Sequence, residues 1–313
     1  MPPKPPALIL TAGLGTRLRP LTEVRAKAAI PVAGEPLIRR SVRWLVSQGV
    51  TEIVLNLHHR PETIAAEIGD GSDLGARVRY SWEQPVLLGT AGGPRQALSI
   101  VGAGTFFLVN GDTLADVDLA GLVEAHQTTG ASVTLALQPN HQPDRYGGAQ
   151  LDGEQRVTGF VRRGRADGSY HVVGVQLVDA GVFAPLPAGQ PASSIGGVYD
   201  TLIASRPGAI RGFVSGTGTF WDIGTVADYW LTSWSFAQAE GIAGNPSGRN
   251  VGIDPTARVS RSILWDDVEI AGGCVVDECV VTDGVRVPRG ARYHRTILLP
   301  AADGSVRTAP LSR

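Results

Sequence analysis

Cysteine is nearly absent from this chain, which has two in 313 residues. Cys274 and Cys279 are too few for a disulfide framework and lack metal-binding partners at the usual spacing, so we interpret both as small apolar core residues. The chain also lacks any uninterrupted run of about 18 apolar residues, the length needed for a membrane-spanning helix. Neither a disulfide-stabilised miniprotein nor a membrane-spanning protein is therefore indicated.

An excess of charge of either sign is also missing. The formal net charge is −1, from 28 Lys and Arg against 29 Asp and Glu, which argues against a nucleic-acid-binding protein that neutralises phosphates. With 43% hydrophobic and 18% charged residues, the composition is that of an ordinary globular protein. The N-terminal MPPKPPA lacks the apolar region of a signal peptide, which predicts a cytoplasmic protein. A length of 313 residues indicates two domains.

Apolar strands alternate with helical patterns in the first half of the chain. The predicted strands are 8–10, 52–57, 77–82, 105–112 and 131–137, and the predicted helices are 36–49, 60–71, 89–102 and 118–130. Such alternation with short connections predicts a Rossmann-like, doubly wound α/β sheet that binds ligands at the carboxyl ends of its strands. Residues 138–215 have a looser pattern, which predicts an insert that makes the sheet mixed. A long aromatic helix is predicted over 225–240.

The tail of the chain contains an internal repeat. Its three blocks are 253–269, 270–286 and 287–303. Apolar residues recur in register between the blocks, which predicts three coils of a parallel β-helix. Cys279 occupies the position of Ser262 and Thr296 in the neighbouring coils. The predicted domain division is therefore 1–240, a linker over 241–250, the coiled tail over 251–303, and a C-terminal extension over 304–313.

A glycine-rich loop follows the first predicted strand. It carries Gly13 and Gly15, then Arg17, with Lys27 ten residues further on. Backbone N–H groups of such a loop can bind phosphate beneath a fixed cation. The loop lacks the GK[ST] ending of a Walker loop and does not fit GxGxxG. The alternative explanation of the loop, taken by itself, is a tight connection.

Three further groups of polar residues follow predicted strands. They are EQPVLLGTAGG (83–93), NGD (110–112) and FWDIG (220–224). Asp112 and Asp222 form the smallest carboxylate set for Mg²⁺, which takes its other ligands from phosphate and water. An isolated NGD is more often a β-turn. Together with the glycine-rich loop, these residues predict the binding of a nucleoside triphosphate.

Taken together, the motifs of this chain resemble those of a known family. LTAGLGTRLRPLT (10–22) with Lys27 and PVAGEPL (31–37) is similar to the signature AAGxGTRLxPLTxxxPKxxxPVxGxP of the sugar-1-phosphate nucleotidyltransferases, or nucleotide-sugar pyrophosphorylases. Four later family blocks follow in order: LLGTAGGP (87–94), LVNGDTL (108–114), RYGGAQLD (145–152) and FWDIGTVADYW (220–230). The resemblance covers about residues 7–240, and the tail resembles the left-handed β-helix of mannose-1-phosphate guanylyltransferases.

The resemblance implies a reaction and a set of site residues. An NTP and a sugar 1-phosphate would give an NDP-sugar and pyrophosphate, with Mg²⁺ as cofactor. The implied catalytic residues are Arg17 for the leaving phosphates, Lys27 for the α-phosphate and the sugar phosphate, and Asp112 and Asp222 for Mg²⁺. The implied nucleotide-binding residues are Ala12, Gly13, Gly15, Thr16, Gln84, Gly89, Thr90, Gly92 and Asn110. The implied sugar-binding residues are Tyr146, Gly147, Arg162 and Gly174.

The chain departs from the family pattern at two positions. Ala26 replaces the proline that precedes Lys27, a change with little expected effect. Arg162 replaces the glutamate of the family's FxEKP block. A cation there indicates a sugar with an anionic or unusual substituent, or a hydroxyl contact made elsewhere. A surface arginine pair, Arg162 and Arg163, explains the change equally well.

We favour GTP and a mannose-1-phosphate-like hexose as substrates, because LGTAGG and the tail resemble the guanylyltransferase branch. The alternatives are a UTP- or dTTP-dependent enzyme acting on a hexose or muramic-type sugar, and a non-catalytic nucleotide-sugar-binding regulatory subunit. We expect no nucleic-acid or membrane partner. Because three coils are near the minimum for a solenoid, the tail is expected to pack on the catalytic domain or to form a homo-oligomer. Removing it at about residue 245 is expected to leave the active site intact.

Overall fold

The computed structural model describes residues 4–214 and 220–312. The first three residues of the N-terminal segment, residues 215–219 and Arg313 lie outside the described residues. Within the described part of the chain, no helix is long and apolar enough to cross a membrane.

The chain divides into two compact units. The first comprises Met1–Gly13, Ser41–Pro61 and Ile68–Trp221, and the second comprises Leu14–Arg40, Glu62–Glu67 and Asp222–Arg313. This division differs from the one predicted from motifs and repeats, which separates a catalytic domain, a linker and a tail. The predicted division stays a prediction.

Six α-helices occur in the described residues. They are α1 (Leu37–Ser47), α2 (Pro61–Ile68), α3 (Gly89–Val101), α4 (Leu119–Thr129), α5 (Tyr199–Ser205) and α6 (Val226–Ala239). The strands before the tail are β1 (Ala7–Leu10), β2 (Pro31–Val32), β3 (Glu35–Pro36), β4 (Glu52–Leu57), β5 (Arg77–Trp82), β6 (Thr105–Asn110), β7 (Thr113–Ala115), β8 (Val133–Pro139), β9 (Gly148–Leu151), β10 (Val157–Val161), β11 (Tyr170–Asp179), β12 (Ile210–Val214) and β13 (Phe220–Asp222).

A mixed sheet forms the core of the first unit. Its strands run in the order β10-β9-β11-β6-β1-β4-β5, with β8 paired to β11 and β12 paired to β8. Strands β6, β1, β4 and β5 are parallel, whereas β11 is antiparallel to β6. The predicted Rossmann-like mixed sheet is confirmed. Strand β1 is buried because helices cover both faces of such a sheet.

The parallel register brings several loops to one edge of the sheet. Leu10, the last residue of β1, pairs with Asn56 of β4 and with Asn110 of β6. The chain therefore leaves these neighbouring strands side by side, at the edge where ligands bind in doubly wound folds.

The tail in the second unit is a β-helix. Its strands are β14 (Gly252–Ile253), β15 (Arg258–Ser260), β16 (Ile263–Leu264), β17 (Glu269–Ile270), β18 (Val275–Asp277), β19 (Val280–Val281), β20 (Arg286–Val287), β21 (Arg292–His294), β22 (Thr296–Pro300) and β23 (Val306–Pro310). Strands of successive coils are parallel, and their register confirms the predicted repeat, for example Leu264 beside Val281 beside Leu298. Part of the predicted extension forms β23, which pairs antiparallel with β22.

The two cysteines lie inside this coil, as predicted. Cys274 and Cys279 are free thiols with no exposed surface. The backbone N–H of Cys279 donates to Ser262 Oγ in the preceding coil, at 3.0 Å. Burial raises the pKa of the Cys279 thiol to about 11. A neutral, enclosed thiol has a packing role and is not reactive.

The coil shares a core with α6 in the second unit. Trp265 is fully buried, and its Nε1 donates to Tyr229 Oη of α6 at 2.8 Å. The two rings meet edge to face, with centroids 6.4 Å apart, a favourable aromatic geometry. Thr225 caps α6 in a capping box with Asp228. The tail therefore packs on a helix that belongs to the predicted catalytic domain.

Candidate functional site

A buried hydrogen-bond network holds the backbone that follows β1. The N–H groups of Thr11 and Ala12 donate to Asn56 Oδ1 at 2.6 and 3.3 Å. The Asn56 amide in turn donates to Glu83 Oε1 at 2.6 Å. Asn56 is 2% exposed and Glu83 is fully buried. The network fixes the direction in which the chain enters the glycine-rich loop at Ala12 and Gly13.

Glu83 extends this network to a second glycine turn, which is formed by residues 89–92. Its Oε2 accepts the N–H of Leu88, the residue before α3, at 2.7 Å. Burial raises the pKa of the Glu83 carboxyl above its ordinary 4.5, although the bonds from Leu88 and Asn56 oppose the shift. The sequence placed Glu83 after a predicted strand, but only the structure shows that Asn56 and Glu83 connect two loops.

We expect the stability of a Glu83→Gln variant to depend less on pH than that of the wild type. The raised pKa means that the folded state binds a proton more tightly than the unfolded state, whose value is near 4.5. The contribution of Glu83 to the free energy of unfolding is therefore complete below that pH and is lost as pH rises through the folded-state pKa.

Thermal unfolding between about pH 4 and pH 7 measures this difference. The wild-type melting temperature minus that of Glu83→Gln should fall with rising pH. The exposed Glu124, changed to Gln, is the matched control and should show no such trend. A Glu83 difference that stays flat across the range would contradict the raised pKa.

The second glycine turn packs closely on a distant segment. A side chain at Gly92 would meet the Gln190 carbonyl at 2.5 Å, and Gly89 has a positive φ of 76°. Thr90 Oγ1 accepts the N–H of Ser194 at 2.9 Å. Gln84, which precedes the turn, is exposed. The structure thus explains both glycines by close backbone approach and a left-handed turn.

A cavity of about 270 Å³ lies within the first unit. Three predicted site residues line it together: Thr90, Asn110 and Gly174. Gly174 has a positive φ of 79°, and a side chain there would come within 3.0 Å of Asn110. Strand β11 therefore needs glycine where it passes this asparagine.

Polar residues that sequence reasoning missed also line this cavity. They include Gln176, Ser194 and Tyr199. Gln176 Oε1 accepts a hydrogen bond from the Tyr199 hydroxyl at 2.5 Å, and the amide nitrogen is the donor group of the Gln176 side chain. The signal in the sequence was a single amide in the otherwise apolar strand HVVGVQLVD.

Asp112 lies in the short connection between β6 and β7, and its side chain is partly exposed. The preceding Gly111 donates its N–H to the Leu10 carbonyl at 3.0 Å, and any side chain there would meet that carbonyl. Thr113 Oγ1 donates to Asp112 Oδ1 at 3.3 Å. The close approach of β1 and β6 therefore requires glycine before the carboxylate.

The remaining predicted sugar-binding residues lie together in the insert. The Tyr146 and His171 rings have centroids 4.4 Å apart, and a side chain at Gly147 would meet the Val161 carbonyl at 2.7 Å. Arg162 is exposed at the end of β10. Tyr146, Gly147 and Arg162 are not among the described residues that line the 270 Å³ cavity.

In the second unit, the turn at Gly15 lies against the segment that carries Lys27. Gly15 has a positive φ of 59°, and a side chain there would come within 3.2 Å of Lys27 Cβ. Thr22 Oγ1 donates to the Gly15 carbonyl at 3.1 Å. Thr16 and Arg17 begin the 3₁₀ turn that follows. The glycine-rich loop therefore folds back onto the segment that carries Lys27.

Arg17 and Asp222 both lie close to Gly224 in the same unit. A side chain at Gly224 would lie 3.1 Å from Asp222 Oδ2 and 3.3 Å from Arg17 Nη1. A larger residue here would crowd the ends of both side chains, which would have to shift by a few tenths of an ångström. The structure thus places a predicted phosphate-binding cation next to a predicted metal-binding carboxylate.

Within residues 4–214 and 220–312, no group of three or more His, Cys, Asp or Glu side chains could hold a metal ion. Asp112 lies in the first unit and Asp222 in the second. Single carboxylates fit Mg²⁺, which uses one or two of them with phosphate and water oxygens. They do not fit a structural zinc site, which needs four protein ligands.

Comparisons with known proteins identify the family of the chain. A family described as nucleotidyl transferase matches residues 6–238, and one described as GlmU-like, C-terminal hexapeptide matches residues 247–299. The chain is 30% identical over 302 residues to a mannose-1-phosphate guanylyltransferase of Mycobacterium tuberculosis, covering 92% of this chain and 83% of the relative.

Two further matches widen the comparison. An N-acetylmuramate alpha-1-phosphate uridylyltransferase of Neisseria meningitidis is 35% identical over 232 residues, covering 70% of this chain and 93% of the relative. The crystal structure of a putative glucose-1-phosphate thymidylyltransferase from Bacillus anthracis superposes with a TM-score of 0.66 at 22% identity, covering 76% of this chain and 96% of the other. That last likeness concerns the fold alone.

Proposed function

Because the chain belongs to the nucleotidyl transferase family, we propose that it transfers the GMP group of GTP to mannose 1-phosphate or a similar hexose 1-phosphate. The products are an NDP-sugar and pyrophosphate. The observation that carries the proposal is the turn at Gly15, which folds against Lys27 in the unit where Arg17 lies beside Asp222.

The reaction exchanges one phosphoanhydride bond for another. An oxygen of the sugar phosphate attacks the α-phosphorus of the NTP, and the bond from that phosphorus to the bridging oxygen of pyrophosphate breaks. Attacking and leaving groups are already ionised, so little proton transfer is needed. Positioning and charge neutralisation supply the acceleration.

The second unit supplies the cations in this proposal. Arg17 binds the leaving β- and γ-phosphates, together with N–H groups of the loop that contains Gly15 and Thr16. Lys27 bridges the α-phosphate and the sugar phosphate. Holding both reacting groups on one cation lowers their mutual repulsion and keeps them in line.

The first unit supplies the contacts to the base, ribose and sugar in this proposal. Ala12 and Gly13, which directly follow the backbone held by Asn56, contact the nucleotide. Gln84 and the turn formed by Gly89, Thr90 and Gly92 bind the base and ribose. The sugar hydroxyls enter the 270 Å³ cavity. The groups that can bind them there are the amides of Gln176 and of Asn110, the latter in place of the nucleotide contact that the family resemblance implies, with Gly174 leaving space for the ring.

A divalent cation completes the site, and we propose Mg²⁺ held by Asp112 and Asp222. When bound, it would neutralise charge on the α-phosphate. Exhaustive chelation should abolish turnover, and added Mg²⁺ should restore it. Full activity after chelation would overturn this assignment.

The choice of GTP and mannose 1-phosphate is tested by a substrate panel. Each of GTP, UTP, dTTP and ATP is offered with mannose 1-phosphate, glucose 1-phosphate and N-acetylmuramate α-1-phosphate, and pyrophosphate release is measured. We expect the highest kcat/KM for GTP with mannose 1-phosphate. Strict use of UTP or dTTP would overturn the guanine assignment. Binding of an NDP-sugar without turnover under Mg²⁺ would indicate a regulatory subunit instead.

Arg162 supports a second candidate function, a uridylyltransferase acting on a muramic-type sugar. N-acetylmuramate carries a carboxylate, and an arginine can bind it in a bidentate pair. The relative from Neisseria meningitidis acts on such a sugar phosphate, by its name. On this candidate, Arg162→Gln raises the KM for N-acetylmuramate α-1-phosphate and leaves that for mannose 1-phosphate unchanged. An unchanged KM for both substrates would mean that Arg162 is a surface residue with no role in sugar binding.

A further inference from the structure

The buried side chain of Arg25 joins the segment that carries Lys27 to the coiled tail. Its Nη2 donates to Asp266 Oδ2 at 2.7 Å. Its Nε and Nη2 donate to the two carboxylate oxygens of Asp283, at 2.5 and 2.9 Å. Its Nη1 donates to Glu67 Oε1 at 3.0 Å. With 8% of its side chain exposed, Arg25 is enclosed by these carboxylates.

Arg25 also supports the Lys27 turn directly. Its Nη1 donates to the carbonyl of Ala29, at 3.3 Å, and Lys27–Ala29 is a single 3₁₀ turn. The neighbouring Ala26 donates its N–H to Thr63 Oγ1 at 3.0 Å. Proline, which the family has at this position, has no N–H to donate. The departure at Ala26 therefore adds a second tether to the same turn.

Charge holds this cluster together. Burial would lower the pKa of Arg25, but hydrogen bonds and charge from Asp283 and Asp266 raise it above its ordinary value, so the guanidinium stays charged. Arg249 also contacts two of the carboxylates, Asp266 Oδ2 at 2.5 Å and Glu67 Oε1 at 2.6 Å. The fork of a guanidinium fixes direction as well as distance, which a flexible ammonium does not.

We propose that Arg25 is a positioning residue through which the coiled tail sets the position of Lys27. The inference rests on the proposed role of Lys27 in bridging the two phosphates. A small displacement of a group in the reacting geometry costs much of the rate. Removal of the tail at about residue 245 takes away Asp266 and Asp283, and therefore lowers turnover. This replaces the expectation from the sequence that the active site survives truncation.

Two variants separate positioning from support of the fold. Arg25→Met alone leaves buried carboxylates without a partner, so it lowers both kcat and the melting temperature. The triple variant Arg25→Met/Asp266→Asn/Asp283→Asn removes those charges and keeps the Glu67–Arg249 pair, so the melting temperature recovers. If Arg25 positions Lys27, kcat stays at least about tenfold below wild type in the triple variant while the KM for GTP changes little.

The proposal would be overturned if kcat recovered together with the melting temperature in the triple variant. Such a joint recovery is expected if the Arg25 ion pairs only stabilise the fold. The matched control is Arg286→Gln, which breaks the exposed pair with Glu269 in the same tail. Both its kcat and its melting temperature should equal those of the wild type.

Hydrogen exchange gives a readout that does not depend on activity. The amides of Ala29 and Ile30 bond to the carbonyls of Ala26 and Lys27 in the intact turn. We expect both to exchange faster in the triple variant, with strands of the first unit unchanged. If the wild type turns over no NTP and sugar 1-phosphate pair, the proposed function fails while this exchange still tests the coupling. Unchanged exchange at Ala29 and Ile30 would overturn the coupling itself.

Discussion

Replacing Asp112 or Asp222 by Asn should abolish turnover while leaving the melting temperature nearly unchanged. Asn has the shape of Asp but loses the negative charge that holds a divalent cation against phosphate. Both carboxylates are partly exposed, so their neutralisation leaves no buried charge unpaired. The loss is expected to reach several kcal/mol of transition-state stabilisation in each variant.

The measurement is pyrophosphate release at saturating GTP and sugar 1-phosphate over a titration of Mg²⁺. Asp116, exposed and a few residues beyond Asp112, is the matched control when changed to Asn and should keep wild-type turnover. If the double variant of Asp112 and Asp222 remains active at ordinary Mg²⁺ concentrations, the metal assignment is wrong. Circular dichroism and thermal unfolding of each variant show whether the fold is intact.

Arg17→Ala is expected to remove roughly 3–4 kcal/mol of transition-state stabilisation, comparable to the loss of an oxyanion-hole donor. Charge builds up on pyrophosphate as it leaves, and Arg17 is the cation that the proposal places over it. Because the Arg17 side chain is exposed, its removal should change the free energy of unfolding little. The effect should therefore appear in kcat and not in stability.

Two companion variants sharpen this test. Arg17→Lys keeps the charge but loses the guanidinium fork, so it should retain an intermediate rate. Arg19, exposed and two residues away, should tolerate replacement by Ala without loss of turnover. In the reverse reaction, Arg17→Ala should weaken binding of pyrophosphate more than binding of the NDP-sugar. A forward rate within about fivefold of wild type would contradict the proposed role.

Local patterns carried most of the fold prediction. The bounds of β4 and β5 agree with the predicted strands over 52–57 and 77–82, and the aligned positions of the tail repeat are in register. These predictions were correct because the residues of a strand or coil that face the core are apolar and recur at a fixed spacing. That spacing can be read directly from the sequence.

The candidate site was only partly accessible from the sequence. Thr90, Asn110 and Gly174 were predicted from motifs and line one cavity. Gln176 and Tyr199 line the same cavity but belong to no motif, and their hydrogen bond joins β11 to α5. Such residues are missed because their chemistry depends on a neighbour that is distant along the chain.

The sequence by itself determined the family, the position of the glycine-rich loop and the coiled tail, since each is a local pattern of glycines, charges or apolar positions. Only the tertiary structure decided what holds the turn that carries Lys27. Arg25 stands inside the signature that identifies the family, yet its partners Asp266 and Asp283 lie 241 and 258 residues further along the chain. An ion pair leaves no periodic pattern in a sequence, because its strength depends on distance and burial, which exist only once the chain has folded.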